Sequence, residues 1–185
     1  MPPQDNTRFV SCSSDRQVFV WGKYFTTQIQ AHQQQPLADV STGKTVQRYA
    51  DHSQRVNSVA FNKDATVVVS GSYDASVKLW DCRSLSKRPM QTLNEAKDSV
   101  EHVEIEGFEI IAAYNFVCVS KYCMYSGVDG CVRVYDIRNR GYIQDSISRP
   151  ITAVVSSNDK NCLLTACLDD TMRLLDKEQG DILAE

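Results

Sequence analysis

Apolar residues along this chain come in short runs rich in Val, Ile, Phe and Tyr, at residues 18–21, 56–61, 67–69, 77–80, 132–135 and 151–155. Between them sit Asp, Ser, Gly and Asn, which favour tight turns because their side chains bond the local backbone or, for Gly, tolerate positive φ. No stretch of a dozen residues repeats its apolar positions every three to four, so the pattern predicts strand, turn, strand throughout. Only residues 94–99 offer a helical turn, and one turn is marginal on its own. An α/β enzyme core with long crossover helices is excluded. Residues 56–61 and 151–155, with high β-propensity, are expected as innermost strands of their sheets.

A repeated unit decides the architecture. Asp15, Asp74, Asp129 and Asp169 each lie six residues before a large apolar residue, Trp21, Trp80, Tyr135 and Leu175. Ser11, Ser70 and Thr165 place a hydroxyl four residues before three of those Asp. The apolar anchors are 59, 55 and 40 residues apart; four-stranded propeller blades recur about every 40 to 45 residues. The first two intervals therefore hold insertions. Trp80 and Tyr135 are followed directly by Asp81 and Asp136, whereas the 17 residues 22–38, rich in Gln, separate Trp21 from Asp39. A second, apolar excess of 13 lies near 113–125. Retained introns or lineage-specific loops would both produce such segments. Near the second, residues 122–126 are expected to pair with 132–135, since a hairpin closed at Asp129 needs a strand immediately before it. Residues 109–119 then become an extra hairpin, edge strand or loop.

The best preserved unit, from Asp51 to Asp81, resembles a WD repeat. Its logic is a buried hydrogen-bond set: Asp74 orients His52, His52 reaches Ser70, and Ser70 accepts from the Trp80 indole, so each buried polar group has a partner. Ser, His and Asp together also suggest a hydrolase. That reading fails because the hydroxyl is committed to an indole and no elbow motif or oxyanion loop accompanies it. The other units lack the His, and Asp15, Asp129 and Asp169 are expected to cap their turns.

Length and charge narrow the class. The 185 residues carry 20 Lys plus Arg against 23 Asp plus Glu, a net charge of −3, and 42% are hydrophobic. That balance gives no polybasic surface, so direct nucleic-acid binding is not expected. No apolar run approaches a membrane span or a signal peptide. Seven Cys, an odd number at irregular spacing, fit buried apolar roles in a reducing compartment rather than a disulfide framework. Cys162 and Cys167 lack the spacing and His partners of a zinc site. Residues 41–45 end like a phosphate-binding loop, but Asp39 stands where that loop needs Gly. No cofactor or metal is expected. Met90, Met124 and Met172 are expected in the core or between blades.

Residues 56–62, 64–83, 90–98, 133–138, 148–152 and above all Leu168 to Gly180, with its Arg173-Leu174-Leu175-Asp176-Lys177 run, resemble the mitogen-activated protein kinase organizer family of WD-repeat scaffolds. The resemblance covers nearly all of the chain outside the two insertions. It implies an all-β, seven-bladed WD-repeat β-propeller of which this chain holds about 3.7 blades, at 42 residues each. The expected division is a partial blade at 1–49 with the inserted loop 22–38, a complete blade at 50–93, a blade at 98–145 with the second insertion, and a blade at 148–185 ending in its outer strand region. The family implies no enzymatic activity, scaffolding of kinase-cascade components with an endosomal adaptor, association with spliceosomal proteins, and residence in cytoplasm and nucleus. A second resemblance is to the substrate adaptors of cullin-based ubiquitin ligases. It rests on Asp81-Cys82-Arg83 and Asp136-Ile137-Arg138, where Arg83 and Arg138 on the rim could grip a partner carboxylate. The plainer alternative is that each Arg pairs with its own Asp.

Overall fold

A computed structural model describes residues 8–22, 47–106, 122–136, 141–147, 149–159, 161–177 and 179–185. Among these residues there are fifteen strands and no helix. The first sheet holds β1 (Arg8–Cys12), β2 (Val18–Gly22) and β3 (Gln47–Tyr49). The second holds β4 (Val56–Phe61), β5 (Val67–Ser72), β6 (Val77–Asp81) and β7 (Gln91–Leu93). The third holds β8 (Val100–Glu106), β9 (Tyr122–Gly127), β10 (Cys131–Asp136) and β11 (Gly141–Ser146). The fourth holds β12 (Ile151–Ser156), β13 (Cys162–Cys167), β14 (Met172–Asp176) and β15 (Ile182–Ala184). Each is an antiparallel meander in chain order, the architecture of a partial β-propeller.

The choice between two segments for one strand resolves as expected. β9 pairs with β10 from Val132↔Ser126 to Asp136↔Tyr122. The rival residues 109–119 lie outside the described residues, as do 23–46, which hold most of the Gln-rich segment and the loop-like 41–45. One expectation is overturned: residues 94–99 are bends and extended chain, not a helical turn. Their polar backbone groups are drawn to the third sheet, with Lys97 N–H donating to Asp129 Oδ2 at 3.1 Å and Ser99 C=O accepting from Val128 N–H at 3.0 Å.

The innermost strands β4, β8 and β12 each carry a β-bulge at the same place, between Val56 and Ser58, Val100 and His102, and Ile151 and Ala153. A bulge re-aims one side chain. In β4 that residue is Asn57, whose amide reaches Ser99 Oγ at 3.0 Å and Val100 O at 2.9 Å on the neighbouring sheet. Apolar clusters fill each gap between sheets. Val18, Val20 and Tyr49 meet Val56, Val68 and Trp80. Val69, Val77, Leu79 and Leu93 meet Val100, Val103 and Tyr135. Met124, Val132 and Val134 meet Ile151, Val154, Leu163 and Leu175. Met124 is fully buried and Met90 half-buried, as expected, but Met172 is 65% exposed, because no described residue stacks on its side of the fourth sheet.

Gly71 marks how closely the sheets approach. A Cβ there would stand 2.6 Å from Val100 Cγ1 and 2.7 Å from Val103 Cγ1. Gly71→Ala is therefore expected to force β8 away from β5 and to lower stability by about 1–3 kcal/mol, as overpacking does. A denaturant melt with an unchanged midpoint would show that the seam has room.

Candidate functional site

The second sheet assembles its four polar residues from two strands, the turn between them and one loop. His52, in the loop before β4, is held with its Nδ1 3.0 Å from Asp74 Oδ2 and its Nε2 2.8 Å from Ser70 Oγ. Trp80 Nε1–H donates to the same Ser70 Oγ at 2.8 Å. Ser70 and Trp80 are fully buried and His52 is 5% exposed. Asp74 also accepts from Ser53 N–H at 2.9 Å and from Ser76 Oγ–H at 2.5 Å. Burial works against the charged carboxylate, but bonds from Ser76, His52 and Ser53 together hold its pKa at about 2. Burial pushes His52 below its ordinary 6.5, with Asp74 pulling the other way. Tyr49 stacks on the Trp80 ring with centroids 4.7 Å apart, so the set is sealed by the first sheet.

The other three sheets keep parts of this arrangement. Asp15, Asp129 and Asp169 accept from the backbone N–H two residues on, Gln17, Cys131 and Thr171, at 3.2, 3.2 and 3.3 Å. Trp21 Nε1–H donates to Ser11 Oγ at 2.9 Å in the first sheet. Ala96 and Ile147 stand four residues before Val100 and Ile151, the place of His52, and both pack into apolar clusters. The Asp they leave without a His takes an Arg instead. Arg133 Nη2 lies 2.8 Å from Asp129 Oδ2, and Arg173 Nη2 lies 2.9 Å from Asp169 Oδ2. In the second sheet the same position is Lys78, which turns to Asp51 because Asp74 is already engaged. The sequence analysis did not identify this exchange, although an Asp followed four residues later by Arg recurs in both units.

Arg83 lies on the rim with its N–H 2.8 Å and its Nε 3.4 Å from Asp81 Oδ1, the plainer of the two expected arrangements. Arg138 lies outside the described residues. Also unanticipated is a polar depression between the first and second sheets, lined by Ser14, Arg16, Ser53, Gln54, Arg55 and Tyr73. Arg55 lies over the Tyr73 ring, 4.7 Å from its centroid. Its backbone is fixed because Arg55 C=O accepts from Tyr73 N–H at 3.0 Å and Ser72 Oγ–H at 2.8 Å. Arg16 has φ 71°, the left-handed turn position that Gly130 fills in the third sheet. A non-Gly residue there costs about 1 kcal/mol or more. Sequence reading missed the depression because its residues come from two turns and a loop far apart in the chain. Among the described residues, no three or more His, Cys, Asp or Glu gather as a metal site. No described helix is long and apolar enough to cross a membrane.

Residues 2–22 and 43–81 match the WD40 family of WD domain, G-beta repeats. These stretches carry the WD40 repeat signature, and the antiparallel sheets are consistent with a partial propeller. The chain is related to a group of WD repeat proteins found across species. The WD repeat domain-containing protein 83 homolog of Dictyostelium discoideum is 28% identical over 98% of this chain and 55% of its own length. WD repeat domain-containing protein 83 of Rattus norvegicus is 39% identical over 56% of this chain and 29% of its own length. The E3 ubiquitin-protein ligase COP1 of Pisum sativum is 30% identical over 86% of this chain and 23% of its own length. The chain thus spans about half, or less, of the relatives it matches.

Trp80→Ala removes a buried ring and is expected to cost about 3–5 kcal/mol. Trp21→Ala should cost less, because Trp21 is only half-buried. Chemical denaturation of both variants would contradict this by giving equal losses.

Stability should also fall on acidification in two stages. For both His52 and Asp74 the unfolded chain takes up protons before the folded one, so each contributes stability that is lost as pH drops. The His52 contribution goes as pH falls below 6.5, and that of Asp74 between 3.8 and about 2. His102, half-buried and likewise lowered, adds to the first stage. Urea midpoints at pH 7 and pH 5 should therefore differ, and differ less in His52→Gln. An equal difference in that variant would place the proton uptake elsewhere.

Proposed function

We infer that this chain is a non-enzymatic scaffold that binds other proteins. The observation that carries this reading is the state of Ser70. It is fully buried, receives the Trp80 indole N–H and touches His52 from inside a sheet stack. A hydroxyl so placed completes a packed core and reaches no substrate. Recognition then falls to the turns, and the Arg16–Arg55 depression is the site we assign to it. Two guanidinium groups in a chain of net charge −3, one of them 4.7 Å over the Tyr73 ring, suit the carboxylates or phosphates of a partner segment.

Resemblance to the organizer family and to WD repeat domain-containing protein 83 supports a finer reading. In it the partners are kinase-cascade components with an endosomal adaptor, or spliceosomal proteins, in cytoplasm and nucleus. Affinity capture from whole-cell extract, with the chain and its Arg16→Ala/Arg55→Ala variant side by side, tests it. Kinase-cascade or splicing components should appear with the parent chain and fall at least severalfold with the variant. Their absence from the parent capture, or equal recovery with both, would contradict the assignment.

A ubiquitin-ligase adaptor is the second reading, favoured by the likeness to the pea ligase over 86% of this chain. It stands behind the first because Arg83 is engaged by Asp81. Recovery of a cullin ligase core that is lost on Arg83→Ala/Arg138→Ala would reverse that order.

A further inference from the structure

A hydroxyl stands three residues after an Arg at four places in this chain: Ser11 after Arg8, Ser58 after Arg55, Ser86 after Arg83 and Thr152 after Arg149. The structure sets one of them apart. Ser11 lies in β1 and accepts from the Trp21 indole N–H at 2.9 Å. Ser58 lies in β4 and accepts from Val103 N–H of the neighbouring sheet at 3.2 Å. Thr152 lies in β12 and donates to Ala166 C=O at 3.2 Å. Ser86 instead lies in the loop between β6 and β7, residues 82–90. That loop is pinned near both ends. Cys82 N–H donates to Thr66 C=O and Met90 N–H to Leu79 C=O, each at 2.8 Å, and Ser84 C=O accepts from Gln47 Nε2 at 2.7 Å. Between the pins the tip stands in solvent, with Leu85 88% exposed and Ser86, Lys87 and Arg88 exposed beside it. Ser86 Oγ accepts a local bond from Arg88 N–H at 3.2 Å. Residues 82–94 carry Arg83, Lys87 and Arg88 and no Asp or Glu, in a chain of net charge −3.

We propose that Ser86 is a phosphorylation site for a protein kinase whose substrate groove presents carboxylates to Arg83. Such a kinase must lay the chain on either side of the hydroxyl along its groove, which an exposed loop tip allows and a strand held in a ladder does not. Three residues of extended chain span about 10 Å. Arg83 therefore grips the carboxylates of the groove by paired bonds while standing clear of the reacting atoms. The bond from Ser86 Oγ to the γ-phosphorus of a nucleoside triphosphate forms as the bond from that phosphorus to its bridging oxygen breaks. The nucleoside diphosphate leaves, and the hydroxyl proton passes to the catalytic Asp of the kinase. At pH 7 the phosphate brings a charge of about −1.5 to −2 to a segment that carries three cations. It also offers Arg83 an acceptor that competes with Asp81, whose Oδ1 lies 3.4 Å from Arg83 Nε. The modification thus changes the charge that this rim shows to a partner.

Incubating the intact chain with ATP and a calmodulin-dependent protein kinase of Arg-x-x-Ser specificity, then mapping its peptides by mass spectrometry, tests the assignment. Phosphate should appear on Ser86, with Ser11, Ser58 and Thr152 unmodified. Ser86→Ala should abolish incorporation, and Ser84→Ala should leave it intact. Arg83→Lys should raise KM for the chain by about fivefold or more and leave kcat within about twofold, because it removes binding made equally in the ground state and the transition state. A purely structural role for Arg83 would move neither. Mapping the parent chain needs no variant, and Arg83→Gln repeats the kinetic test should Arg83→Lys fail to show the parent circular dichroism. A parent chain that takes up no phosphate overturns the proposal. So does incorporation that persists in Ser86→Ala, phosphate on Ser11, Ser58 or Thr152 in place of Ser86, or an unchanged KM without the Arg83 guanidinium.

Discussion

Burying the indole of Trp80 between two sheets obliges its one N–H to find an acceptor, and the rest of the second sheet follows from that constraint. Ser70 supplies the oxygen at 2.8 Å and then needs an acceptor for its own proton. His52 Nε2 is 2.8 Å away, whereas the alternative, Lys78 C=O, is 3.4 Å away. With Nε2 accepting, the imidazole proton sits on Nδ1 and is donated to Asp74 at 3.0 Å. Donation thus runs one way from Trp80 to Asp74, and every buried polar atom on the path is matched. The same commitment that makes the stack stable removes the serine from chemistry.

The neighbouring sheets solve the same problem by other means. With Tyr135 and Leu175 in place of Trp80, no indole needs an acceptor, and the His position passes to Ala96 and Ile147 in apolar clusters. The turn Asp persists because it caps its own hairpin, and an Arg on the third strand of the sheet neutralises it. In the second sheet Lys78 is diverted to Asp51. Stacking is common to all four sheets, while the polar wiring within each is local. That leaves the turns and rim outside the stacking constraint, as in the depression lined by Arg16 and Arg55.

The strand order and the members of the second sheet's polar set were legible because both depend on short-range spacing. An Asp six residues before a Trp, with a Ser four before the Asp, is one hairpin read along the chain. The loop at 94–99 was misread because its backbone donors and acceptors are claimed by residues near 129, a contact that no local propensity encodes. Met172 was misplaced for a related reason. Its position in the repeat is a core position, and only the stacking of whole sheets decides whether a core position is covered. The depression at Arg16, Arg55 and Tyr73 was invisible to sequence reading because it forms where two turns and a loop converge.

The directed donation from Trp80 to Asp74 is the central claim, and nitrogen NMR of the His52 ring tests it most directly. At neutral pH the account predicts a neutral imidazole with its proton on Nδ1 and an unprotonated Nε2, titrating below the ordinary 6.5. A ring protonated on Nε2, or an imidazolium at neutral pH, would mean that Ser70 does not donate to His52. The buried set would then be wired differently from the account given.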